Sequence, residues 1–149
     1  MSYTTIAQVK SLFRDFADNS EAAVVDAEIT EFLNETAAMI DAKLSSLYTL
    51  PFSDASTLLI LGKIEKFLVA GVVDDILNNY SEADKKPEWA KRGHALLTEL
   101  CPKKNKDGVQ PEPTMKLPGE VYLGTSRQKN RIKVSSTTGA IFQKGQDNW

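Results

Sequence analysis

Between Val25 and Leu47 the apolar residues return every three or four positions: Val25, Ile29, Phe32, Leu33, Ile40, Leu44 and Leu47, with Thr36 in the same register. That spacing lays them along one stripe of an α-helix. The intervening Asp26, Glu28, Glu31, Glu35, Asp41 and Lys43 make the opposite face wet and strongly acidic. Pro51 has no amide hydrogen to donate and disfavours the helical region for Leu50, so the chain must turn at Tyr48-Thr49-Leu50-Pro51. The helix expected from Asp26 to Leu47 is about 22 residues, or roughly 33 Å long.

Other helices follow from the same reading. Thr5-Ile6-Ala7-Gln8 fits a capping box, and Ile6, Val9, Leu12, Phe13 and Phe16 give a short amphipathic helix that breaks at Asp18-Asn19-Ser20. Residues 19–25 read as a loop or a brief helical turn, with Asp26 or a residue just before it as the cap of the long second helix. Ser53-Asp54-Ala55-Ser56 offers N-cap oxygens for a third helix reaching Asn79. Its apolar residues run over most of the circumference, so it needs neighbours on several sides, and a second subunit is the expected source of part of that cover. Gly62 and Gly71 inside it each cost about 1 kcal/mol relative to alanine, which implies close packing against another backbone or neutral tolerance. Pro87 suits the first position of a fourth helix with Trp89, Leu96, Leu97 and Leu100 on its apolar face, ended by Cys101-Pro102.

From Lys103 to Pro118 the chain turns to Lys, Asn, Asp, Gly and Pro, a linker composition. Beyond it Glu120-Val121-Tyr122-Leu123 and Arg131-Ile132-Lys133-Val134-Ser135-Ser136 show short β-type patterns, with Ile141, Phe142 and Trp149 as the last apolar anchors. The expected fold is mainly α: an antiparallel four-helix bundle with two long central helices over residues 1–101, then a linker and extended arm with short β-segments over 102–149. The arm has too few apolar residues to fold alone, so it borrows order from a partner, folds back as a hairpin on its own helices, or stays disordered.

Composition narrows the function classes. One cysteine, Cys101, excludes an intrachain disulfide and a cysteine metal cluster. Residues 1–20 lack the basic start and apolar run of an export signal, so a cytoplasmic site of synthesis is expected. The apolar stretch Leu58 to Tyr80 carries Lys63, Glu65, Lys66, Asp74 and Asp75, each costing on the order of 3 kcal/mol at a bilayer centre, so it reads as a core helix with no membrane partner. Charge is split along the chain: 5 Lys+Arg against 12 Asp+Glu in residues 1–80 (5 − 12 = −7), and 13 against 8 in residues 81–149 (13 − 8 = +5). Such polarity suits copies meeting head to tail or a basic arm on an acidic neighbour, and equally suits solvated faces that differ by chance.

No catalytic, cofactor or metal site is expected. His94 is the only histidine and has no nucleophile or ligand partner in the pattern; Asp74-Asp75 and Glu31 with Glu35 read as solvated pairs; the glycines form no phosphate-binding fingerprint. Cys101 reads as a buried small hydrophobe. Arg127, Lys129, Arg131 and Lys133 could meet phosphates, but without a recognition helix or a basic pI protein docking is favoured.

The opening Ser2-Tyr3-Thr4-Thr5, the Ile40-Asp41-Ala42-Lys43-Leu44 run, the Tyr48-Thr49-Leu50-Pro51 corner and the long apolar helix after it resemble the head-to-tail connector (adaptor or head-completion) proteins of tailed bacteriophages, over residues 1–100. Val134-Ser135-Ser136 with Phe142 resembles the tail of the phage Mu-like branch. The resemblance implies a structural virion protein of the neck, made in the host cytoplasm, forming a twelve-copy ring beneath the portal protein and receiving a stopper or tail terminator protein on its other face.

On that basis the arm residues Tyr122, Arg127, Lys129, Arg131, Ile132, Lys133, Val134, Phe142 and Trp149 are expected to dock on the portal. Leu61, Ile64, Phe67, Leu68, Val72 and Ile76 are expected to pack copies together. Asp26, Glu28, Glu31 and Glu35 are expected to line a channel through which DNA passes without specific binding, since like charges repel phosphate. The competing reading is a cytoplasmic helical regulator that dimerises and contacts nucleic acid through its basic tail, which would show steeply salt-dependent affinity.

Overall fold

Thr5 opens the first helix as its sequence requires: its hydroxyl accepts the Gln8 amide at 3.4 Å while the Gln8 side chain accepts the Thr5 N–H at 3.0 Å. The computed structural model describes residues 2–13, 24–78 and 87–124. Over these the chain is mainly helical, with α1 (Ile6–Lys10), α2 (Asp26–Leu44), α3 (Ala55–Asn78) and α4 (Glu88–Leu100), and no strand among the described residues. α1 is shorter than its apolar pattern, closing through tight bonds from Leu12 N–H to Val9 O and from Phe13 N–H to Lys10 O. The expected break at residues 18–20 lies outside the described residues.

The cap of α2 is Val25, which has no side-chain oxygen to offer. Only the reciprocal half of a capping box remains, with Glu28 Oε2 accepting the Val25 N–H at 2.9 Å. α2 ends three residues earlier than its stripe, at Leu44, and Leu47 and Tyr48 bond back to Leu44 O as the chain enters the corner, where the Leu50–Pro51 peptide bond is cis. α3 is capped by Asp54, whose Oδ1 accepts the Thr57 N–H at 3.0 Å. Pro87 is the residue just before α4 and accepts the Lys91 N–H through its carbonyl.

α3 packs against α1, α2 and α4, which cover the middle of its broad apolar surface and leave Leu58, Leu59, Val72, Ile76 and Leu77 exposed. Two clusters form the core. Ile40 and Leu44 of α2, Leu61, Ile64 and Leu68 of α3, and Leu97 and Leu100 of α4 make the first, together with Leu47, Tyr48 and Phe52 of the corner. Val9, Ile29, Leu33, Val69, Ala70 and Val73 make the second. Each fully buried aliphatic side chain contributes about 1.5–3 kcal/mol. Both α3 glycines mark close backbone approach: a Cβ on Gly71 would sit 2.8 Å from Ala90 N, and one on Gly62 would sit 2.7 Å from Tyr3 O.

The helical boundary expected at residue 101 is not where packing ends. Residues 102–124 return over the bundle as a strap: Met115 N–H bonds to Glu99 O at 3.2 Å, Leu117 is buried in the first cluster, and Leu123 N–H bonds to Leu47 O at 2.7 Å. Residues 120–123, read as a strand, have no strand partner among the described residues.

Candidate interaction surfaces

Glu65 is fully buried on α3, where an ionised carboxylate is costly unless donors surround it. Its donors come from one place, the segment before α1. Tyr3 N–H reaches Oε2 at 2.7 Å, the Ser2 hydroxyl lies 3.1 and 3.2 Å from the two oxygens, and Thr4 adds a second main-chain N–H. Burial still pushes the Glu65 carboxyl above its usual range, against the opposing pull of those donors. The Tyr3 hydroxyl donates to Asp41 of α2; burial first, and Asp41 second, raise that phenol well above its ordinary value. Ser2–Thr4 is therefore held as a short bent segment between α2 and α3, its bend closed by the Ser2 hydroxyl donating to Thr4 O at 2.8 Å and its Tyr3 carbonyl resting on Gly62.

The second built surface is the corner. Tyr48 is buried, and its hydroxyl accepts the Leu117 N–H at 3.3 Å. Phe52 and Tyr122 meet its ring edge-on at 6.2 and 5.6 Å. The Thr57 hydroxyl donates to Pro118 O at 2.6 Å, and Glu120 accepts the Ser53 N–H at 3.3 Å. Gly119 turns with φ +71°, where a side chain would be strained and would run into Asp54. Burial raises the Tyr48 phenol.

The residues expected to pack copies together divide. Leu61, Ile64 and Leu68 are a correction: they lie in the chain's own core, because α2 and α4 close over that part of α3. Phe67 is half-buried and stacked on Trp89 at 5.7 Å. Val72 and Ile76, one helical turn apart, remain about 41% and 43% exposed, with Leu77 beside them at 42%.

The four acidic residues of α2 divide too. Asp26 pairs with Lys10 at 2.6 Å and Glu28 caps Val25, so both are engaged at the helix start, while Glu31 and Glu35 are exposed along the same stripe. Of the expected arm residues, Tyr122 packs on its own chain's Tyr48 rather than standing clear for a partner. Arg127, Lys129, Arg131, Ile132, Lys133, Val134, Phe142 and Trp149 lie outside the described residues.

Cys101 is half-buried, not fully buried as expected, and its sulfur accepts from Gln110 Nε2 at 3.2 Å. His94 is an exposed residue of α4. Among the described residues no group of three or more His, Cys, Asp or Glu could hold a metal ion, and no helix is long and apolar enough to cross a membrane. The sequence signal missed Glu65 altogether, although Ser2-Tyr3-Thr4, which holds it, stood out as a motif. Comparison with family models, with curated proteins and with solved structures gave no match to this chain.

Proposed function

We propose that the chain is a structural, non-catalytic head-to-tail connector of a tailed bacteriophage, assembling as a ring of copies beneath a portal protein and handing over to a stopper or tail terminator on its other side. In this reading the helices form an antiparallel bundle with two long central members, and the C-terminal arm pairs with the portal through short β-segments. The observation that carries it is the apolar ridge of Val72, Ile76 and Leu77, left open on a helix whose middle is wrapped by its own chain and whose first turns also expose Leu58 and Leu59. An open ridge beside a closed core is what a lateral contact between copies uses. Glu31 and Glu35, exposed on α2, supply acidity for a channel wall that DNA slides past.

The test is negative-stain imaging of the purified chain mixed with portal rings. A ring of added density below the portal, lost in the Val72→Asp, Ile76→Asp double variant whose circular dichroism is unchanged, supports the proposal. Folded wild-type protein that leaves the portal bare overturns it. Binding to DNA that collapses between 50 and 200 mM salt identifies the regulator reading instead.

A further inference from the structure

Ser2–Thr4 is bound the way a ligand is bound. Every polar contact that holds it to α2 and α3 ends on two carboxylates: Glu65 takes the main-chain N–H groups of Tyr3 and Thr4 and the Ser2 hydroxyl, and Asp41 takes the Tyr3 hydroxyl, while the Thr4 hydroxyl donates to Gln8 Oε1 of α1 at 2.6 Å. Gly62 forms the floor, where any side chain would collide with the Tyr3 carbonyl. Glu65 is buried and receives its donors from this segment alone among the hydrogen bonds of the described residues. The segment joins α1 at Thr5, which is extended at φ −120° and ψ 158° and caps the helix itself, so Ser2–Thr4 lies outside the helical hydrogen bonds.

We propose that the slot between α2 and α3 is a peptide-binding site specific for a bent hydroxyl-residue-then-tyrosine sequence, and that its partner in trans is the Ser2–Thr4 segment of a second copy. The seated segment of the same chain acts as the resident occupant. Glu65 and Gly62 recognise main chain and fix the register. Asp41 recognises the phenol and supplies the sequence preference, since a phenylalanine would leave that carboxylate without its donor. A tethered occupant competes at an effective concentration on the order of millimolar, so exchange between copies needs the resident segment weakened or the chain concentrated. The inference is independent of the connector reading: it needs only two copies.

The experiment uses full-length protein and a fluorescent peptide of residues 2–8. Tyr3→Ala, checked for fold by circular dichroism, is expected to bind the peptide saturably and at least tenfold more tightly than wild type, whose slot is filled. A peptide with Tyr3 replaced by Phe is expected to bind at least fivefold more weakly, and combining Asp41→Asn with Tyr3→Ala in the protein is expected to abolish that difference. A folded Tyr3→Ala protein that ignores the peptide overturns the proposal. Native-state hydrogen exchange on wild type decides if that variant does not fold. Tyr3 and Thr4 amides that open well before the α3 amides indicate a separable ligand. Amides that open only with global unfolding, or that are unprotected, overturn it.

Discussion

Glu65 is where a single side chain has the most to say. Burial holds its carboxyl above the ordinary value of 4.5, so the folded chain binds a proton that the unfolded chain has already released. The stability this confers is fully present below the unfolded value and is lost as pH rises through the raised folded one. Urea unfolding from pH 4 to pH 8 is therefore expected to show a decline that Glu65→Gln flattens, with the glutamine protein at least as stable as wild type at pH 7 because its amide oxygen still accepts the Tyr3 N–H. Glu65→Leu leaves the Tyr3 and Thr4 amides without an acceptor and is expected to cost roughly 1–3 kcal/mol by the same measurement. None of this was legible in the sequence. Glu65 reads there as one of several charges that forbid a membrane span, and the partners that justify its burial lie 61 to 63 positions away.

The elements were more readable because their signals are local. Thr5 with Gln8, Asp54 before α3, and Pro87 before α4 each act within one helical turn, so the pattern placed those starts closely. Gly71 was readable as a cost and its compensation is now visible, since α3 and α4 touch backbone to backbone there. Gly71→Ala is expected to destabilise by at least about 1–3 kcal/mol despite alanine's better helix propensity, because the added methyl would sit 2.6 Å from the Ala90 Cβ. A thermal melt checks it, and paired replacement with Ala90→Gly should recover part of the loss.

At the scale of the whole molecule, the strap changes what counts as the body. Proline-rich residues 102–118 look like a linker because their composition is polar and irregular, yet Leu117, Pro118 and Tyr122 find Tyr48 and Thr57 across 61 to 74 positions, a pairing that no local pattern encodes. A chain ending at Cys101 is expected to unfold at a lower urea midpoint than one ending at Gly124 and to bind the dye ANS, since Tyr48 and Phe52 lose their cover. Tyr48→Phe in the full chain leaves the buried Leu117 amide unpaired and should cost about 1–3 kcal/mol in the same assay.

The strap also sets a clock for biosynthesis. At roughly 5–20 residues per second, the ribosome needs about 4–14 s to travel from the corner at residue 52 to Leu123, the last of the described residues that bonds across it. Throughout that interval the nascent chain carries a greasy aromatic elbow without the strap that seals it. The half-made protein is the form most exposed to chaperones and to its own kind.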